Sequence, residues 1–220
     1  MQWITEGANQ IGNHLNINNI DIFVLNPITS GIDIKKCFKM IFQSIPDYLT
    51  NGIDVIYIGD FDIFKEREVN AVYKDGGIYI SNEQDNEMDM IDDVIHEVAH
   101  SVEKEYQINI YDDGFLAKEF LGKRRRLFSL LRAEGYDVDP LFKIKTEYDR
   151  EIDDYLYKDV GYPALWNLAQ GLFVSPYSIT SLSEYFAMGF EKYYISDRKY
   201  LKEICPVLYT KIENLNHLED

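Results

Sequence analysis

The apolar patterning of this chain changes once, and that change limits what it can fold into. Up to about residue 81 the apolar residues fall in short runs: NNIDIFVL (18–25), IDVIYI (53–58), Ala71-Val72-Tyr73 and Ile78-Tyr79-Ile80. Runs of this length bounded by turn residues read as strands. The last two are separated by KDGG, whose glycines tolerate positive φ, so they are expected to pair as a hairpin. One helix lies among them: Ile34, Phe38, Ile41, Phe42 and Ile45 share a helical face that Pro46 closes. Past the acidic segment NEQDNEMDMIDD (82–93) the spacing is mostly helical, over 88–105, 114–134, 142–158, 184–194 and 198–214. A less regular stretch, GYPALWNLAQGLFVSPYSITS, interrupts it. Strands with one helix, followed by a helical half, predict an α+β fold. The expected domain is single, with an N-terminal lobe of residues 1–105 around a small mixed sheet and a mostly helical C-terminal lobe of 106–220.

The helix over 88–105 contains IDDVIHEVAH, and its chemistry is specific. Positions four apart stand one above the other on a helix, so His96 and His100 can aim both imidazoles at one point. Two of zinc's four tetrahedral positions require that arrangement. Glu97 lies about 100° around the axis, too far to be a third ligand but close to a water on the metal. Ile91, Ile95, Val98 and Val102 form an apolar stripe on the other side. Two inert, solvated histidines are the alternative. The chain has only 4 histidines, however, and two of them flank a glutamate at this spacing.

Catalytic zinc needs a third protein ligand and an open position. Glu103 lies one turn too far along the same axis and reads as a surface charge or as a support behind a ligand. Glu184, in SLSEYFAMGFEKYY, is the better candidate, with a helix-start carboxylate as its alternative reading. Ala187 and Gly189 are small enough to let two helices approach, while Phe186, Phe190 and Tyr193 are expected to anchor that helix in a core.

Three segments, HEVAH, PYSITSLSEYFAMGFEKYY and KEICPVLYTKIENL, resemble the catalytic domain of the anthrax-toxin lethal-factor-like metallopeptidases, a group that includes the secreted Pro-Pro endopeptidases. The resemblance covers residues 91–105 and 177–215. It implies a zincin-like fold, one Zn2+ per chain held by His96, His100 and Glu184, Glu97 as general base, and Tyr177 assisting the transition state. It also implies a peptide or protein substrate held as an added strand on a sheet edge, for which Ile78, Tyr79 and Ile80 are the candidate residues. An interior strand is their alternative reading. Ser183 stands where the Pro-Pro endopeptidases carry an acidic residue, so cleavage between prolines is not part of the expectation. Two rivals accompany the endopeptidase reading: a catalytically inactive docking module of the same fold, and an intracellular regulatory zinc peptidase.

Composition bounds the partners. A net charge of −16 repels nucleic acid phosphates at long range. The basic run Lys123-Arg124-Arg125-Arg126 reads as a solvated helix face, with an acidic partner as its alternative. No apolar run reaches the ~20 residues of a membrane span, and MQWITEGANQ lacks a signal-peptide pattern. The protein is expected to be a monomer, cytoplasmic unless the chain is the mature part of an exported one. Cys37 and Cys205 are expected to be buried thiols, or a single disulfide if the protein is exported. Tyr155, Tyr157, Tyr162, Trp166 and Phe173 read as core, or as one wall of a substrate site.

Overall fold

A computed structural model describes residues 14–28, 31–67, 69–196 and 198–219; the segment MQWITEGANQ lies outside the described residues. The fold is α+β, with a small mixed sheet and a preponderance of helix. The chain divides into two compact units, Met1–Glu105 and Tyr106–Asp220.

The first unit contains five strands, β1 (His14–Ile17), β2 (Ile20–Val24), β3 (Val55–Gly59), β4 (Ala71–Lys74) and β5 (Gly77–Ser81), in the order β1-β2-β3-β5-β4. The pairs β2–β3 and β3–β5 are parallel, and the two outer pairs are antiparallel hairpins. Each hairpin turns through two consecutive residues at positive φ, Asn18-Asn19 and Asp75-Gly76, which match the right-handed strand twist. The sequence reading began its first strand at Asn18; the two asparagines instead form the turn, and β1 precedes them.

Alternate residues of the central strands face one way. Ile22, Ile56, Ile58, Ile78 and Ile80 are wholly buried, and helices α1 (Ile34–Ser44) and α3 (Glu87–Glu105) pack beneath the sheet. On the opposite face His14, Phe23, Tyr57 and Tyr79 stack as a row of rings 4.8, 5.7 and 5.4 Å apart. A short α2 (Asp62–Arg67) follows β3.

In the second unit α4 (Gln107–Tyr111) leads into α5 (Phe115–Ala133), whose Leu116, Phe120, Arg124, Leu127 and Leu131 form one buried stripe. The expectation of a solvated basic face is corrected here. Arg124 is fully buried, Lys123 donates to the carbonyls of Leu172 and Ile204, and only Arg125 and Arg126 are exposed. Arg124 also explains why the helix expected over 142–158 is absent at its start. Its Nη1 draws in the carbonyls of Phe142 and Lys145, at 3.0 and 2.9 Å, leaving a 3-10 turn over Pro140–Lys143. Helix resumes as α6 (Arg150–Tyr155), capped by the Asp149 carboxylate.

Helix α7 (Tyr162–Ala169) lies within the stretch expected to be irregular, and Gly171 at φ +73 follows its end. Next come α8 (Leu182–Ile195), α9 (Arg198–Ile204) and α10 (Pro206–Leu215). The single helix expected over 198–214 is broken because Pro206 has no N–H to continue a ladder and instead starts a new helix. Glu119 of α5 accepts from the freed N–H groups of Val207 and Leu208 and from the Tyr185 hydroxyl. Gly189 supplies the expected close approach: a Cβ there would lie 2.3 Å from Leu208 of α10. Of the aromatic run, Phe173 is core, whereas Tyr157, Tyr162 and Trp166 are exposed.

No helix among the described residues is long and apolar enough to cross a membrane. Both cysteines are free and buried. Burial pushes the Cys37 thiol up to about 11 and raises Cys205 as well. At pH 8 the thiolate fraction of Cys37 is then on the order of 10⁻³. We therefore expect a disulfide-exchange reagent to leave both thiols untouched in the folded chain and to titrate two after unfolding. Rapid reaction of either in native buffer would contradict this packing.

Candidate metal centre

Helix α3 presents its two faces as its sequence requires. Ile91, Ile95, Val98 and Val102 are buried at 2% exposure or less, while His96 and His100 remain half-buried. The two rings stand edge to face with centroids 4.9 Å apart, so their nitrogens share one side of the helix. The His100 Nδ1 lies 3.3 Å from a Glu103 carboxylate oxygen. An N–H donated there would orient the ring and set its tautomer. Glu103 is thus a support for a histidine in this structure, which its position one turn on allowed.

Glu97, between the histidines, is 7% exposed, and its carboxylate accepts the backbone N–H of Tyr73 at 2.5 Å. That donor identifies the open edge of the sheet. In the antiparallel β4–β5 ladder, Ser81 donates to Asn70 and Lys74 pairs with Gly77, so Ala71 and Tyr73 turn their main-chain groups outward. The placing of Ile78, Tyr79 and Ile80 on an edge is corrected accordingly. Strand β5 is hydrogen-bonded to β3 on one side and β4 on the other, so it has no free main-chain groups to offer a peptide. The hairpin that the sequence revealed folds β4 outside β5, and pairing order is not encoded in either strand's own pattern. Nearby, Asp93 is pushed up to about 6 by burial, against the opposing pull of a hydrogen bond from Gln84.

In the second unit Glu184 occupies the first turn of α8. Ser181 is the N-cap, its hydroxyl accepting the Glu184 N–H at 3.0 Å, and the carboxylate is half-buried. Tyr177 begins a 3-10 turn over Tyr177–Ile179 that Thr180 closes with two hydrogen bonds to the Tyr177 carbonyl. Arg124 fixes the end of this turn, donating from Nε to Ile179 and from Nη2 to Thr180, at 2.8 and 2.9 Å. Tyr177 and Glu184 therefore flank a segment that a buried guanidinium holds from below.

His96, His100 and Glu184 make up a group able to hold a metal ion. Each offers one ligand atom, and the three atoms lie within 4.8 Å of one another. Two imidazoles and a carboxylate form the nitrogen and oxygen donor set that zinc accepts.

Sequence reasoning passed over Tyr73, Asp93 and Arg124. For the first the signal is a main-chain N–H, which no side-chain identity reveals. For Arg124 the signal was present: it falls on the same stripe as Phe120 and Leu127, at core spacing. No protein-family model matches the chain, and neither a curated protein nor a solved structure matches it significantly.

Proposed function

We propose that the protein is a zinc-dependent endopeptidase of the lethal-factor-like kind, with His96, His100 and Glu184 as metal ligands. The observation that carries this reading is the common reach of those three ligand atoms, together with a glutamate placed between the histidines. When bound, zinc would polarise a scissile carbonyl and bring the pKa of a water toward neutrality. Glu97 is the base that takes the proton of the attacking water and later passes it to the leaving amine. The Tyr73 N–H keeps one oxygen of Glu97 in place. Tyr177 is assigned to hydrogen-bond the oxyanion that develops on the carbonyl. The substrate main chain is assigned to the outward N–H and C=O of Ala71 and the outward C=O of Tyr73 on β4, replacing the β5 residues; the Tyr73 N–H is already engaged by Glu97.

The test is metal content joined to cleavage. Purified protein should contain about one zinc per chain, lose peptide cleavage on chelation and regain it with added zinc. Protein that holds no metal after mild purification, and takes none up on addition, refutes the reading. Full zinc with no cleavage of a broad peptide library would instead leave the docking-module rival standing.

A further inference from the structure

On successive turns of α5, Phe115, Lys118, Gly122 and Arg126 share one face. They line a depression of about 590 Å³ within the second unit, to which Leu172, Ile204 and Val207 add apolar surface. A glycine inside a helix is destabilising, and a fold retains one where close packing or a positive φ demands it. Gly122 meets neither demand. Its φ is an ordinary helical one, and the nearest heavy atom that a Cβ would meet outside the helix backbone is Arg125 Nη2, at 3.8 Å. At Gly189, by contrast, Leu208 leaves no room for a side chain. What Gly122 provides is an open floor to the depression.

The charge of the depression is opposite to that of the chain. Lys118, Lys123 and Arg126 line it and enter no ion pair among the described residues, although the chain has 38 acidic side chains to 22 basic ones. Lys123 is half-buried, and its partners, the Leu172 and Ile204 carbonyls, carry no charge to balance its own. A partly desolvated cation without a counter-charge is costly, and an anion in the depression would supply one. Glu119, the carboxylate of the lining, is already engaged by the N–H groups of Val207 and Leu208 and by the Tyr185 hydroxyl.

We propose that this depression docks a short acidic segment of a partner protein, with an apolar side chain of that segment seated over Gly122. The proposal is independent of the peptidase reading. A single small anion matches the site less well, because Arg126 stands two turns, about 12 Å, beyond Lys118 along the helix axis. An extended peptide covers that distance in about four residues. Carboxylates near its two ends then meet Lys118 and Arg126. Phe115, 59% exposed, continues the apolar lining to the surface. At physiological salt the repulsion from the net charge of −16 is screened over about 8 Å, so the cations nearest the ligand decide.

Fluorescence anisotropy at physiological salt tests this on the whole chain. The probe is a fluorescein-labelled peptide of two glutamates, a leucine and two glutamates. Every protein carries Glu97→Gln, so that the probe survives if the peptidase reading holds. Binding should weaken about 10-fold or more in the Lys118→Glu, Arg126→Glu double variant, whose altered side chains are both exposed. Gly122→Leu keeps every charge and fills the floor. It should weaken binding by a similar factor while raising the thermal midpoint, since leucine is the better helix former. Serine in place of the probe's leucine should cost about 3–10-fold. Affinity that is unchanged in either variant overturns the proposal. So does a lowered midpoint in Gly122→Leu, which would show that the glycine serves packing. Displacement of the probe by equimolar inorganic phosphate also overturns it, in favour of a site for a single small anion.

Discussion

Replacing Glu97 by alanine is expected to lower peptide cleavage by about 10²–10⁴-fold while zinc stays near one per chain, the range for loss of a positioned base. The glutamine variant sharpens the test. A glutamine carbonyl can still accept the Tyr73 N–H, but it cannot take a proton, so cleavage should fall as far as in the alanine variant. The two should differ in stability. Alanine leaves a part-buried N–H without its acceptor, which costs about 1–2 kcal/mol relative to glutamine. Steady-state kinetics, metal analysis and denaturant unfolding read these effects separately. Cleavage that persists in the glutamine variant would remove Glu97 from the base role, whatever happens to stability.

The largest effect on folding is expected at Arg124. Four carbonyl oxygens, from Phe142, Lys145, Ile179 and Thr180, converge on its guanidinium, and the rings of Phe120 and Phe142 cover it at 4.9 and 4.6 Å. Burial lowers its pKa to about 10, which still leaves it charged at neutral pH. Methionine fills much of the volume but orphans the carbonyls. We expect Arg124→Met to destabilise the protein by about 3–5 kcal/mol, allowing for partial relaxation around the acceptors. Lysine keeps a charge but not the planar fork, so it should recover only part of the loss. The readout is the urea midpoint at unchanged slope. A loss below about 1 kcal/mol would show that water satisfies these carbonyls once the fork is gone. Amide exchange should also quicken between Tyr177 and Glu184, because two of the four carbonyls lie in that segment.

Part of the centre was legible in the chain because helices encode neighbours locally. His96, Glu97 and His100 lie within five residues, and helix geometry alone fixes which face each takes. The apolar stripe from Ile91 to Val102 is buried as its spacing required. Ser181 three residues before Glu184 is likewise a local signal for a helix start, and α8 begins there. The limits of Phe142–Lys143 and of α9 and α10 were not legible in the same way. A distant guanidinium and the Glu119 carboxylate decide where those carbonyls and N–H groups turn.

What the sequence determined by itself is therefore what short-range periodicity can carry: a strand-bearing first half followed by a helical second half, the faces of α3, and a histidine pair on one of those faces. Tertiary structure alone decided that β4 rather than β5 is the outer strand, that Tyr73 reaches Glu97, and which four distant carbonyls the Arg124 guanidinium gathers. Each of those depends on hydrogen bonds between main-chain groups or between residues far apart in the chain. Such groups are the same in every residue or remote in sequence, so no local pattern of side chains distinguishes them.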